Sequence, residues 1–291
     1  MESGLDLTFL IGILFLLRSL ALVDQKDKFF LFFISTLSFL PLYISLWQGQ
    51  DTAFLFLGVA FWCIGILKKQ DWLIGVGIAF ATVRPHISIA LALPPLIRHS
   101  KSWWRYLLPT GMLAITSVIM LDFKGTAEFI NLLLISSEGN WFGMNLAAML
   151  NLLGLFLRIF QLSDSDTISI IGWLIYLTSL ALICTLWKFS KMEDVRLISL
   201  TILIACITAP HLHLHDLTLL IFPILFIVKD RSAVNSDLRW LMLPVMISLF
   251  LVLGLLLNEV YYIIPYIVFL FLGWLILSRK QNPPTAIIPN I

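Results

Sequence analysis

The stretch Thr208-Ala-Pro-His-Leu-His-Leu-His-Asp216 places three of the chain's five histidines, a proline and an aspartate between two apolar runs. Imidazole changes charge near neutral pH, so such a group can serve as a general acid or base, hydrogen-bond an anionic leaving group, or ligate a metal. In a helix, His211 and His215 share a face and His213 points away. In an extended segment after Pro210 all three share a face. Either geometry turns two or three imidazoles toward one region. The ordinary alternative is a set of interfacial histidines at a helix start, with Asp216 as a first-turn acid favoured by the helix dipole.

Two further stretches carry polar groups of the same kind. Arg84-Pro-His86 sets an arginine between two short apolar segments. A guanidinium binds phosphate oxygens through a rigid fork of donors, or it snorkels to lipid headgroups. Trp47-Gln-Gly-Gln-Asp51 offers the amides of Gln48 and Gln50 and the Asp51 carboxylate, donors and acceptors suited to sugar hydroxyls. Gly49 permits close backbone approach. Read alone, this stretch is also an ordinary polar turn.

The elements that position these groups belong to a membrane protein. The chain has 291 residues, 60% hydrophobic and 12% charged, with a mean hydropathy of +0.98; soluble domains carry about 25% charged residues. The expected fold is all-α and polytopic, a single transmembrane domain over residues 1–280 with a cytoplasmic tail at 281–291. Apolar runs suited to spanning lie near 7–23, 29–46, 52–67, 71–83, 86–97, 104–121, 168–187, 197–209, 216–229, 239–257 and 260–278, which gives about 10 transmembrane helices. The runs beside Pro85 and Pro210 are short. Interrupted helices persist at membrane depth where they line protein or a water-filled cavity, so both breaks point to one cavity. Cys63, Cys184 and Cys206 lie far apart inside apolar runs and fit neither a disulfide framework nor a metal spacing. The acidic start Met1-Glu-Ser-Gly-Leu-Asp6 lacks the basic region and cleavage site of a signal peptide.

Charge placement sets the orientation. With residues 24–28 in the cytoplasm and the spans alternating, 15 of the 19 basic residues fall inside, and Arg84, Lys124 and Arg158 fall outside. Gln48–Asp51, Arg84–His86, the 122–167 segment and His211–Asp216 then share the extracytoplasmic side. The 122–167 segment carries Asn145 and an apolar stretch, Met144–Gln161, suited to a re-entrant or interfacial helix.

Taken in order, Gly49-Gln50, Arg84-Pro85-His86 and Ala209-Pro-His-Leu-His-Leu-His215-Asp-Leu resemble the motifs of glycosyltransferase family 87, the polyprenyl-phosphate-mannose-dependent mannosyltransferases of the GT-C superfold. The family pattern is G-Q, then K-P with a polar residue, then S-P-x-S-W-x-H-x-L. Gly49, Gln50, Pro85, Pro210 and His215 match it. Arg84 stands for its Lys, and Ala209, Leu212 and His213 replace its Ser, Ser and Trp. The resemblance covers roughly residues 45–230. It implies transfer of a hexose, with mannose the expected sugar, from a polyprenyl-phosphate-sugar to an extracytoplasmic glycolipid or glycan acceptor at the plasma (inner) membrane. It implies that Arg84 neutralises the donor phosphate, that His215 with His211 or His213 steadies the phosphate or the first sugar hydroxyls, and that a carboxylate takes the acceptor proton. His86, Gln48, Gln50 and Asn145 complete the substrate-binding set. No cofactor, metal or nucleic acid is expected, because arginine and histidine can stabilise a lipid-phosphate leaving group without a metal.

Members of this family typically begin with one more helix and a large outer loop bearing an acidic residue, and this chain is expected to start after it. The proton acceptor is then Glu2, Asp6, Asp51 or Asp216, or it comes from a partner chain that supplies the loop. Two other readings stay open at this level: a transporter or flippase of a lipid-linked or anionic substrate, and a non-catalytic truncated remnant or partner subunit.

Overall fold

The computed structural model of the protein describes residues 11–14, 26–48, 51–98, 103–137, 149–160, 165–235, 238–257 and 262–278. Among these residues every regular element is a helix. In chain order they are α1 (Lys26–Leu37), α2 (Leu40–Trp47), α3 (Thr52–Lys68), α4 (Asp71–Ala81), α5 (Pro85–Arg98), α6 (Trp103–Ser137), α7 (Leu152–Phe160), α8 (Ser165–Phe189), α9 (Asp194–Thr208), α10 (Ile221–Asn235), α11 (Leu243–Leu256) and α12 (Ile264–Leu277). The 3-10 helices Leu214–Leu220 and Leu238–Met242 lead into α10 and α11.

Trp103–Leu132 and Ile170–Phe189 are long and apolar enough to cross a membrane. Thr52–Lys68, Asp71–Ala81, Trp240–Leu256 and Ile264–Leu277 are apolar but shorter. Far fewer than ten described helices therefore reach full spanning length, because the sequence interrupts its apolar runs. The run 29–46 divides into α1 and α2 at Phe39, which is extended with φ −71° and ψ 112°, and Pro41 stands in the first turn of α2, where its missing N–H costs nothing. Residues 71–98 divide at Pro85, which opens α5 from its first position, where the missing N–H costs nothing.

Each interruption leaves backbone groups that lipid cannot satisfy, and side chains of neighbouring helices take them up. The Leu40 N–H at the start of α2 donates to Ser248 Oγ of α11 at 2.8 Å. Pro95 has no N–H to offer the Leu91 carbonyl one turn earlier, and the buried Trp62 indole of α3 donates to it instead, at 2.8 Å. The Ile78 carbonyl loses its helical partner where α4 tightens at Thr82, and the Ser88 hydroxyl donates to it across the break at 3.1 Å.

The α3–α4 hairpin is drawn together by small residues. A Cβ on Gly77 would lie 2.6 Å from the Gly58 carbonyl and 2.5 Å from the Trp62 nitrogen, so only glycine allows this approach. Close packing through glycine is how membrane helices gain contact where no hydrophobic drive exists between them. A buried core from Ile13 to Ile276 includes the Leu217–Val228 segment almost without a gap, as expected of a central element that is apolar on every face.

The segment expected as a loop from residue 122 starts as helix. α6 continues to Ser137 through a kink at Asp122, whose φ is 56° and whose Oδ1 accepts the Gly125 N–H at 2.8 Å. The aspartate caps a second helix directly on the first. Further on, helix forms at Leu152–Phe160, inside the expected 144–161 window. Asn145, Gly49, Gln50, Glu2, Asp6 and the 281–291 tail lie outside the described residues.

Candidate functional site

The helix breaks at Pro85 and Pro210 meet. α9 ends at Thr208, and Ala209, which precedes a proline, turns extended with φ −51° and ψ 136°. The chain bends at Pro210 and His211, is extended at His213 and then tightens into the 3-10 helix Leu214–Leu220. Neither simple geometry for the histidines holds alone, since His211 sits in a bend, His213 is extended and His215 lies in the first 3-10 turn. The result still gathers them. The His213 and His215 rings stack with centroids 5.7 Å apart, and His211 sits edge-on to His86 of α5 at 6.4 Å.

Arg84 lies at the centre. Its Nη1 and Nη2 grip both oxygens of Asp51 at 3.0 and 2.9 Å, and its Nε faces Asp216 Oδ1 at 3.5 Å. Asp216 is buried and Asp51 is half exposed, with side-chain accessibilities of 7% and 47%, so the guanidinium bridges a buried and an open carboxylate. Asp216 Oδ2 also accepts the His213 N–H at 3.0 Å, and Oδ1 lies 3.6 Å from His215 Nε2. Asp216 thus caps the 3-10 turn and faces the cluster in one conformation. The local reading and the chemical reading of this residue coexist.

His211 and His215 lie in the connection between α9 and α10. Burial lowers the His211 pKa to about 4, with neighbouring His213 and Arg84 acting in the same direction and Asp216 opposing. Burial also lowers that of His215, and there the nearby Asp216 carboxylate opposes most strongly. Both imidazoles are therefore neutral at pH 7 and can donate or accept a hydrogen bond. His211 Nδ1, His215 Nε2 and Asp216 Oδ1 are buried with no hydrogen-bond partner among the described residues. Of these, Asp216 Oδ1 and His215 Nε2 keep the ion-pair contacts given above, and His211 Nδ1 is left with none.

Of the candidate residues, Asp51, Arg84, His86, His211, His213, His215 and Asp216 come together. Gln48 ends α2, exposed, with its backbone N–H on Ile44, and no described hydrogen bond ties its side chain to the cluster. Among the described residues, no three His, Cys, Asp or Glu side chains form a set that would hold a metal ion. One neighbour escaped the sequence reading. Asn151, fully buried, donates from Nδ2 to the carbonyls of Ala209 and Pro210 at 2.6 and 2.8 Å and accepts the Gly154 N–H at 2.7 Å. An asparagine just before the apolar run Leu152–Phe160 is an N-cap signature, and that signal was available.

An all-helical membrane protein that gathers four partly buried imidazoles around an arginine fork, with one half-exposed carboxylate, is equipped to handle an anionic group where helices break. The chain belongs to glycosyltransferase family 87, whose family model matches residues 5–210. It is thus a glycosyltransferase, moving a sugar from a donor to an acceptor. The match includes Asp51, Arg84 and His86 and ends at Pro210, so the three histidines beyond it join the site through space. No curated protein and no solved structure matches the chain.

Proposed function

We propose that the protein transfers a hexose, mannose in our reading, from a polyprenyl-phosphate-sugar to a glycolipid or glycan acceptor on the outer face of the plasma membrane. The fold in this reading is GT-C-like, with about ten membrane segments of which several are paired half-helices. The observation that carries the proposal is Arg84: a guanidinium fork at a double helix break, ringed by His86, His211, His213 and His215, in a chain of this family.

The donor enters sideways from the lipid, and its phosphate takes the two Nη donors of Arg84. The neutral imidazoles of His215 and His211 hydrogen-bond the phosphate or the first sugar hydroxyls. The acceptor hydroxyl oxygen attacks the anomeric carbon as the bond from that carbon to the phosphate oxygen breaks. The phosphate leaves with the electron pair, its charge met by Arg84. Asp51 takes the hydroxyl proton, because it is the carboxylate of the cluster with open access, whereas Asp216 is buried behind the guanidinium.

The test is sugar transfer from radiolabelled polyprenyl-phosphate-mannose in membranes containing this chain. Arg84→Ala and His215→Ala are expected to abolish transfer at parental expression. Parental rates in both variants would sink the proposal.

A further inference from the structure

We infer that Asn151 is a positioning residue: its amide fixes the Ala209–Pro210 backbone and so sets His211 toward Arg84 and His213 against His215. The inference rests on the reading that this cluster is the transfer site.

The argument begins with what holds the histidines. His211 Nδ1 has no hydrogen-bond partner among the described residues, so its ring is placed by the backbone that carries it. That backbone is non-helical and bends at Pro210 and His211, which leaves the Ala209 and Pro210 carbonyls without helical partners. Asn151 serves both, at 2.6 and 2.8 Å. Its other end accepts the Gly154 N–H at 2.7 Å, so one amide ties the start of α7 to the end of α9. A main-chain bond from the Leu150 N–H to the Leu212 carbonyl, 2.9 Å, adds a second tie on the far side of His211.

The tie is itself braced. The Tyr266 hydroxyl of α12 donates to the Asn151 carbonyl. Arg158 Nη2 donates to the Met149 carbonyl at 2.6 Å, with its guanidinium 3.6 Å over the Tyr262 ring. A Cβ on Gly154 would come within 2.5 Å of the Met149 carbonyl, so the turn is tight where it must be. No other side chain does this work. Aspartate keeps the acceptor but sets a carboxylate against two carbonyl oxygens. Serine keeps the cap but lacks the paired donors.

Asn151→Ser therefore separates the two roles, keeping the α7 cap and releasing the histidine segment. The experiment is site-resolved carbethoxylation by diethyl pyrocarbonate, read by peptide mass spectrometry on the full-length protein in nanodiscs. Losing two hydrogen bonds is expected to open the segment and raise the modification rates of His211 and His213 roughly tenfold. His86, seated in α5 with its carbonyl accepting the Tyr176 hydroxyl, should change little. Transfer by the variant should fall through kcat. An unchanged His211 rate overturns the inference. So does a uniform rise at all three histidines with a lowered unfolding temperature, which would mark general loosening. A selective rise in a parent protein that transfers no sugar supports the positioning role and counts against the transfer reading alone.

Discussion

Asp51 occupies the fork that the donor phosphate needs, and this predicts opposite effects of one substitution on binding and on turnover. Both Nη atoms of Arg84 are on Asp51, at 2.9 and 3.0 Å. A phosphate recognised by a guanidinium uses the same pair of donors, so the donor must displace the carboxylate. With Asp51 at 47% side-chain exposure the displaced pair is screened and contributes about 0.2–1 kcal/mol. Removing the competitor in Asp51→Asn should then tighten binding of polyprenyl phosphate by at most about fivefold. If displacement also frees Asp51 to take the acceptor proton, the same variant should transfer sugar about 10²- to 10⁴-fold more slowly. Asp216→Asn makes the contrast, since it weakens the buried partner behind Nε and lets the guanidinium swing, so lipid-phosphate binding should weaken. The assay is equilibrium binding of tritiated polyprenyl phosphate to the protein in nanodiscs, paired with single-turnover transfer. Weaker lipid-phosphate binding by Asp51→Asn would refute the reasoning, because Asp51 would then hold the fork ready rather than occupy it.

Three further outcomes follow from the geometry. The His211 pKa, lowered to about 4 from an ordinary 6.5, makes the unfolded chain bind a proton first as pH falls, so this residue's contribution is constant above about pH 6.5 and turns destabilising between 6.5 and 4. Apparent unfolding temperatures across that window should drop more steeply for the parent than for His211→Asn. Trp62→Phe strands the Leu91 carbonyl that Pro95 cannot serve, at a cost of about 1–3 kcal/mol, and should lower the unfolding temperature while leaving polyprenyl-phosphate affinity unchanged. Gly77→Ala meets backbone atoms at 2.5 and 2.6 Å and should cost about 1–3 kcal/mol or more by overpacking, whereas Gly111→Ala has nothing within 4 Å and should be neutral in the same thermal scan.

The parts of the site that were legible in the sequence are those where one residue type forces the backbone. Pro85 and Pro210 each stand between two short apolar runs with polar residues beside them, so the two breaks, the charged residues next to them and their common end of the helices could be argued from spacing. The positive-inside pattern placed Arg84 and the histidines on one side, and the structure joins Arg84 to Asp51 and Asp216 at that end. At the other end Arg98 pairs with Asp194, and Arg105 with Asp71 at 3.0 Å, so ionic groups assigned to the inner loops also gather. What was not legible depends on partners far away in sequence. The break at Ser38–Phe39 is held open by Ser248, and nothing local marks Ser248 as its partner. Asp122 falls where the expected span 104–121 ends, but the helix that it caps and that runs on to Ser137 was read as part of the segment 122–167. Asn151 shows the limit most clearly. As a cap it could be found from its neighbours. Its second role exists only because α9 ends at Pro210 and leaves two carbonyls within reach of an amide 58 and 59 residues earlier. Composition and periodicity describe an element's faces, but an orphaned backbone group advertises itself only once the ends of two helices are in the same place.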